Sequence, residues 1–444
     1  MEEITRVELE ASKAAAVDDW RYLELKHTLH GKLLERINLD RLAEIDAPRV
    51  RKEVRAAVAA LVLEEAPQMA GYDRETLIDQ VLNEVFGLGP LDPLMQDDTI
   101  SDILVTTSDL VHVERFGKLK KTGVRFKDGA HLTRIIQKIV GQAGRRIDES
   151  SPMVDCRLPD GSRVNAVIPP VAFAGPLLSI RKFSKDPLSA QDLVGRGALS
   201  EEMLQYLQLA VKSRRNILIA GGTGSGKTTM LNILSAFIGA DERIVTIEDT
   251  AELQLRQEHV AKMETRPPNV EGGGAIRERQ LVINALRMRP DRIILGEVRG
   301  EEALDMLQAM NTGHDGSLAT IHANSCADAI NRLEMMAGSA SANISSASLR
   351  QQIASAIHVY VQVARLSDGT RKIVEIAESE GLNSRGAAGL KRLFRFEREN
   401  LSDEGTVQGR FVSLRGVAAP KPGDLGQAPT AGRLAEVSTV EAAS

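Results

Sequence analysis

The spacing of apolar residues divides the chain into regions of different period. The first 75 residues are rich in charge, and their apolar positions recur every three or four residues. The clearest stripe consists of Val50, Val54, Val58, Leu61 and Val62. Such a stripe is typical of a helix packed on other helices; the alternative is a helix lying on a membrane surface. We therefore predict a helical N-terminal segment over residues 1–75.

A mixed pattern follows over residues 76–185. Short apolar runs at 103–105 and 111–113 predict strands, and apolar residues at helical spacing predict a helix over 132–140. The sequence Leu-Pro-Asp-Gly at 158–161 is a turn signal between two further strands. These elements predict an α+β N-terminal domain.

Strands and helices alternate from residue 196 to residue 380, after a predicted linker at 186–195. The predicted strands are 216–220, 243–247, 292–295, 317–321 and 359–363. This alternation predicts an α/β domain with a mostly parallel sheet and helices on both faces. Residues 381–444 are predicted to form a C-terminal extension. Its end, from Pro420, lacks core periodicity and is typical of a disordered tail.

Composition narrows the class of protein. The chain has 444 residues, enough for two or three domains. Its net charge of −5 and pI of about 6.0 argue against a dedicated nucleic-acid-binding protein. No apolar run approaches the roughly 18 residues that span a bilayer, and the acidic N-terminus is unlike a signal peptide. We expect a cytoplasmic protein with no membrane span of its own.

A glycine-rich loop gives the strongest chemical signal. The run GGTGSGKTT completes the pattern G-x-x-x-x-G-K-[ST] between a predicted strand and a predicted helix. Its glycines allow backbone N–H groups to approach phosphates, Lys227 can reach the β- and γ-phosphates, and the Thr228 hydroxyl can bind Mg²⁺. The predicted nucleotide-binding residues of this loop are Gly221, Gly222, Thr223, Gly224, Ser225, Gly226, Lys227, Thr228 and Thr229.

Acidic residues follow two apolar strands, at the edge where open α/β sheets bind ligands. Glu248 is a candidate to orient or deprotonate the attacking water, and Asp249 a candidate to hold Mg²⁺ through a water. Glu297, near the end of the third strand, is the candidate to support Mg²⁺ directly or through water. Paired acids at a strand end more often belong to a loop or a cap, and the pattern around Glu297 is common in any buried strand. The prediction therefore rests on the combination of these acids with the glycine loop.

One histidine and two arginines complete the candidate site. His322 follows the fourth strand and can donate to a γ-phosphate, although a histidine at a strand end is more often structural. Arg163 and Arg181 lie in the middle domain and can bind phosphate oxygens bidentately if that domain closes over the nucleotide. Otherwise they are solvated charges at hairpin ends. The histidines and cysteines show no spacing typical of a metal site.

Four segments, in this order, resemble the motifs of the type II/type IV secretion ATPases. GGTGSGKTT resembles the Walker A loop and TIEDTAEL the Asp box, while ILGEVRG resembles Walker B, with Glu in place of the usual Asp. TGHDGSLATIHANS resembles the His box. Further segments, among them GLGPLDPL, GRRIDESSPMVDCRLPDGSRVNAVIPP and LSIRKF, resemble the CpaF-like branch, the tight-adherence (Tad) pilus ATPases. The resemblance covers about residues 50–380.

The resemblance implies a RecA-like P-loop ATPase domain hinged to the N-terminal domain. It implies that Glu248 is the base and that Glu297 supports Mg²⁺ and water. It also implies that His322 senses the γ-phosphate. Arg163 and Arg181 match the N-domain arginines of the family. The implied protein is a homohexamer that hydrolyses ATP at the cytoplasmic face of the inner membrane. Membrane platform proteins there pass its motion to pilin subunits or secreted cargo.

Two other functions fit parts of this pattern. One is a RecA-like motor that moves nucleic acid, although the acidic net charge weighs against a nucleic-acid partner. The other is a nucleotide-gated switch with slow turnover, although the presence of both Glu248 and Glu297 argues for hydrolysis. The motor for pilus assembly or protein secretion explains the largest number of motifs.

Overall fold

The computed structural model describes residues 22, 24–26, 28–33, 47–183, 188–266, 268, 273–341, 343–384, 386–402 and 405–414. The chain divides at residues 184/185 into two compact units. The predicted tail from Pro420 lies outside the described residues. Among the described helices, none is both long enough and apolar enough to cross a membrane.

The first unit begins with a small helical core. Helix α1 spans Ala47–Glu65 and helix α2 spans Gly71–Phe86. The apolar stripe predicted from Val50 to Val62 is buried against α2 and against Leu29 and Leu33 of an earlier helical stretch. The prediction that this stripe packs on neighbouring helices is therefore confirmed.

A six-stranded antiparallel sheet follows in the same unit. Its strands are β1 (Ile100–Thr107), β2 (Leu110–Arg115), β3 (Lys118–Lys121), β4 (Met153–Arg157), β5 (Arg163–Val167) and β6 (Leu177–Arg181), in the order β3-β2-β1-β6-β5-β4. A 3₁₀ turn at Gly89–Leu91, helix α3 at Asp92–Gln96 and helix α4 at Gly129–Gln142 accompany the sheet. Apolar residues of α4 share a separate core with the sheet, because the helix presents one apolar face. The two halves of the unit therefore have distinct cores.

The second unit is built on a nine-stranded sheet with the order β15-β14-β13-β12-β7-β11-β10-β8-β9. Its strands are β7 (Ile217–Gly221), β8 (Ile244–Glu248), β9 (Val260–Glu264), β10 (Arg292–Val298), β11 (Leu318–Ile321), β12 (Val359–Arg365), β13 (Arg371–Leu382), β14 (Ala388–Leu401) and β15 (Val407–Ser413). Neighbouring strands are parallel in the part of the sheet ordered β12-β7-β11-β10-β8-β9. In the part ordered β12-β13-β14-β15, neighbouring strands are antiparallel.

Helices cover both faces of this sheet. They are α5 (Ala190–Gly195), α6 (Glu201–Lys212), α7 (Lys227–Ser235), α8 (Glu278–Ala285), α9 (Glu302–Asn311), α10 (Cys326–Ala340) and α11 (Ser346–Ala356). Alternate strand residues enter different cores: Ile217 and Ile219 pack with α6 and α7, whereas Leu218 and Ala220 pack with α8 to α11. Strands buried on both faces require the continuous apolar runs seen in the sequence.

The structure differs from the predicted boundaries at two places. The sheet continues past residue 380, because β13 runs to Leu382 and β14 and β15 follow it as antiparallel strands. The sequence analysis missed these strands because many of their positions are solvent-exposed and polar; in β14 the exposed residues include Lys391, Arg392, Arg395 and Arg398. The predicted linker 186–195 includes helix α5, which begins with a capping box at Ser189.

Candidate nucleotide-binding site

Four parallel strands bring the predicted site residues to one edge of the sheet. In the order β7-β11-β10-β8, their carboxyl ends carry the glycine loop, His322, Glu297 and Glu248. The register aligns Ile321 with Ala220 on one side and with Val298 on the other. Parallel strands end at the same edge, so residues far apart in sequence become neighbours there.

The glycine loop runs from β7 into helix α7, as the sequence predicts. Gly224 and Gly226 have φ angles of +67° and +99°, in the left-handed region that favours glycine. The Ser225 hydroxyl donates to the carbonyl of Gly222 at 2.8 Å and closes the turn. Helix α7 begins at Lys227 with no side-chain cap and no acidic residue in its first turn. Its first N–H groups and the positive end of its dipole are therefore suited to an anion.

Lys227 lies in the first turn of α7, with its ammonium folded back over the loop. The Nζ atom donates to the carbonyls of Gly221 and Gly222 at 3.0 and 3.2 Å. It is also 3.3 Å from Oε1 of Glu297. Thr228 and Thr229 follow in the same turn and are half-buried. The lysine thus links the loop to the acid that the sequence predicts as its partner.

Glu297 is held between two cations. Its second oxygen accepts a hydrogen bond from Nε of Arg299 at 2.7 Å, and Arg299 also reaches Asp249 at 2.8 Å. Burial raises the pKa of Glu297, but the Arg299 hydrogen bond and the charges of Lys227 and Arg299 outweigh burial and hold that pKa below its ordinary value. Glu297 is therefore ionised at neutral pH, as a ligand for a divalent cation must be.

Glu248 has the opposite environment. Its side chain is 3 % exposed, and one carboxylate oxygen accepts hydrogen bonds from the backbone N–H groups of Glu252 and Leu253 at 2.7 and 2.8 Å. Burial raises the pKa of Glu248 above its ordinary value, and the two hydrogen bonds offset this only in part. The other oxygen is buried with no hydrogen-bond partner among the described residues.

His322 and a glutamine that sequence analysis missed lie beside the loop strand. His322 is half-buried and comes directly after β11. Gln362 of β12 is 4 % exposed and donates from Nε2 to the carbonyl of Ala323 at 3.1 Å. Gln362 therefore fixes the segment that carries His322. No motif marks it, because a glutamine within an apolar strand reads as an ordinary interruption of the run.

Arg163 and Arg181 lie in the first unit, where the structure makes them cross-strand partners on β5 and β6. Arg181 also forms an ion pair with Asp102 of β1 at 3.2 Å. The two guanidinium groups therefore belong to one part of one sheet, although 18 residues separate them in the chain (163 to 181). Their action on a nucleotide bound in the second unit stays a prediction.

Arg299 was also not predicted as a site residue. In the sequence it is the arginine of the ILGEVRG segment, and no spacing indicates that it pairs with both Asp249 and Glu297. The candidate site in the second unit therefore contains an acid with a raised pKa, an acid with a lowered pKa, a lysine and an uncapped helix start. Two carboxyl groups with oppositely shifted pKa values are typical of active sites in which one carboxylate accepts a proton and the other stays charged.

Comparisons with known proteins agree on one family. The family model described as "Type II/IV secretion system protein" matches residues 84–399. A putative conjugal transfer protein of Mycobacterium tuberculosis is 41 % identical over 300 residues, which cover 66 % of this chain and 85 % of that protein. A homologue of the type IV secretion system protein PtlH from Bordetella bronchiseptica is 35 % identical and covers 70 % of this chain and 98 % of its own length.

Among solved structures, the VirB11 ATPase of the Brucella suis type IV secretion system, in complex with sulphate, is 28 % identical, with a TM-score of 0.36. It covers 68 % of this chain, and 96 % of its own length is matched. The family assignment rests on the sequence comparisons, and the residues matched by the family model include the glycine loop, Glu248 and Glu297. This chain belongs to the family of type II/IV secretion system proteins.

Proposed function

We propose that this protein hydrolyses ATP to drive assembly of a tight-adherence (Tad) pilus or protein secretion across the inner membrane. The observation that carries the proposal is the meeting, at one sheet edge, of an uncapped helix start behind a glycine loop with two glutamates of opposite pKa shift. The names of the relatives, which refer to conjugal transfer and type IV secretion, support a transport machine of this kind.

The phosphates would bind at the loop of residues 221–229. Backbone N–H groups of the loop and of the first turn of α7 would donate to them. Lys227, which now donates to two loop carbonyls, would turn its ammonium to the β- and γ-phosphates. The anion thereby replaces the carbonyl contacts of the lysine, so the exchange keeps the ammonium hydrogen-bonded.

Mg²⁺ fits the donor set beside the loop. The Thr228 hydroxyl and the ionised carboxylate of Glu297 are hard oxygen ligands, directly or through water. Bound there, the ion would neutralise charge on the phosphate oxygens. The lowered pKa of Glu297 keeps its carboxylate charged for this purpose.

Glu248 would act as the general base. Its buried, unpartnered oxygen is the acceptor for the proton of the attacking water, and its raised pKa makes the carboxylate a better base than an ordinary glutamate. Its two backbone hydrogen bonds hold the carboxylate in one orientation. His322, directly after the strand next to β7, would donate to the γ-phosphate and register its loss.

Closure of the N-terminal unit would add a second set of cations. Arg163 and Arg181 lie together on one sheet, so a single rigid movement would bring both guanidinium groups to a phosphate. Contact with the γ-phosphate would make closure favour ATP over ADP, which couples hydrolysis to a movement of the domain.

The working form in this proposal is a homohexamer with RecA-like ATPase domains, of the CpaF-like branch. It would act at the cytoplasmic face of the inner membrane through platform proteins. The support is the motif resemblance, and the physical reason is that a motor must link hydrolysis at one site to motion at the next. Sedimentation with Mg²⁺ and a non-hydrolysable ATP analogue, across a concentration series, tests the ring. A chain that stays monomeric and hydrolyses ATP independently of its concentration would contradict it.

Phosphate release from the purified full chain, with and without Mg²⁺ and single-stranded DNA, tests the activity. We expect release that requires Mg²⁺ and is unchanged by DNA. Release that requires DNA would favour a nucleic-acid motor. Nucleotide binding without release would favour a slow switch.

A further inference from the structure

The hairpin between β12 and β13 lies beside the phosphate loop because of strand register. Strand β12 pairs in parallel with β7, and the last aligned pair is Val363 with Gly221. The residues that follow Val363 must therefore run alongside the residues that follow Gly221. Arg365 ends β12, and its antiparallel partner is Arg371, the first residue of β13. The register thus places two arginines next to the glycine loop.

One of these arginines contacts the loop directly. Nε of Arg371 donates to the carbonyl oxygen of Gly224 at 2.8 Å. A Cβ atom on Gly226 would lie 3.5 Å from Cδ of Arg371, and one on Gly224 would lie 3.5 Å from Nη1 of Arg365. Both arginine side chains therefore pack against the backbone of the loop, and both residues are solvent-exposed.

The hydrogen bond from Arg371 acts on the peptide that joins Gly224 to Ser225. In a trans peptide, the carbonyl and the next N–H point in opposite directions, so fixing the carbonyl toward Arg371 turns the Ser225 N–H away from the hairpin. Within the described part of the chain, this N–H makes only a long bond of 3.4 Å to the carbonyl of Gly222. A cation on the carbonyl also polarises the peptide and makes its N–H a stronger donor.

We propose that Arg371 is a positioning residue of the phosphate loop. It holds the Gly224 carbonyl outward, so that the Ser225 N–H is oriented and polarised for a nucleotide phosphate, and Arg365 supports the same turn. The inference rests on the nucleotide binding of the proposed function. The loop N–H groups bind phosphates that ADP and ATP share. Loss of the Arg371 side chain would therefore lower the affinity for both nucleotides equally.

Binding of fluorescent ADP and of a fluorescent non-hydrolysable ATP analogue tests this role. For Arg371→Ala we expect affinity for both nucleotides to fall by roughly three- to tenfold, the worth of one hydrogen bond from a cation at an exposed site. The KM for ATP should rise to the same extent, while kcat stays within about twofold of wild type, since Arg371 touches no reacting atom. In the nucleotide-free protein, hydrogen exchange of the peptide over 221–229 should be faster.

Two variants separate this effect from a general loss of structure. Arg371→Lys keeps a cationic donor and should bind nucleotides within about threefold of wild type. Arg392→Ala removes another exposed arginine of the same sheet, one that pairs with Glu375 on β13, and should bind like wild type. Circular dichroism checks that each variant is folded.

Different failures have different meanings. If the wild-type chain binds no nucleotide, the proposed function itself is wrong. If the wild type binds and Arg371→Ala binds equally well, the positioning role is wrong. A loss confined to ATP, a fall in kcat at saturation, or no recovery in Arg371→Lys would also overturn it.

Discussion

Substitution of Glu248 by glutamine should slow ATP hydrolysis strongly while leaving ATP binding and the fold intact. The carboxylate accepts two backbone hydrogen bonds through one oxygen, and the amide oxygen of glutamine can accept both. The amide nitrogen would take the place of the other oxygen, which has no partner to lose among the described residues. The substitution therefore removes the basic group with few changes in contact.

The expected effect on stability is small and its sign follows from the pKa. The pKa of Glu248 is raised in the folded protein, so this carboxyl binds its proton more tightly there than in the unfolded chain. The Glu248 carboxyl therefore stabilises the folded protein at pH values below its pKa in the unfolded chain. This stabilisation is lost as the pH rises through its pKa in the folded protein. At neutral pH the charged form is thus disfavoured by folding, and glutamine removes that cost. We expect the free energy of unfolding to change by about 1 kcal/mol or less.

The expected effect on rate is large. A positioned general base contributes about 10²- to 10⁴-fold, or roughly 2.7–5.5 kcal/mol of activation free energy. We therefore expect kcat to fall by at least about a hundredfold, with ATP still bound. In the wild type, the acidic limb of the kcat profile should lie above the pH at which an ordinary glutamate titrates, and this limb should vanish in Glu248→Gln.

The assay is steady-state phosphate release over a pH series, beside nucleotide binding and urea unfolding. Glu264→Gln is a matched control, because Glu264 occupies the aligned position on β9 and is solvent-exposed. It should hydrolyse ATP at the wild-type rate. Normal turnover by Glu248→Gln, together with a dead Glu297→Gln, would refute the assignment of Glu248 as the base.

Three further predictions concern other parts of the molecule. Lys227→Ala should abolish phosphate release without changing the circular dichroism spectrum, because the cation that would neutralise the transferred phosphoryl group is lost; near wild-type turnover by the folded variant would exclude the site. Arg163→Ala and Arg181→Ala should each weaken ATP binding more than ADP binding, measured by titration, and an equal loss for both nucleotides would argue against contact with the γ-phosphate. Arg292→Met should lower the free energy of unfolding by about 2–3 kcal/mol in urea, because Arg292 is 1 % exposed and donates to Glu242 and to the carbonyls of Val211 and Gly316. Arg214 would still pair with Glu242, whereas the two carbonyls would lose this donor. A loss below about 1 kcal/mol would show that solvent replaces the guanidinium.

The sequence by itself determined the elements that carry strong local signals. The strands that precede the glycine loop, Glu248, Glu297 and His322 are apolar runs, because strands buried on both faces admit few polar residues. The glycine loop is equally local, since its conformation depends on glycines and its chemistry on adjacent residues. These local features established the order of the motifs along the chain, and the family resemblance was inferred from that order.

Only the tertiary structure decided which side chains meet and with what charge. Glu248 and Glu297 look alike in sequence, yet one is buried against backbone donors and the other is held between Lys227 and Arg299. Arg371 meets Gly224 although 147 positions separate them, because register aligns β12 with β7. Strands β14 and β15 were missed because their exposed faces resemble a polar tail. Pairing between distant strands brings Lys227 to Glu297 and Arg371 to Gly224, and local sequence contains no record of that pairing.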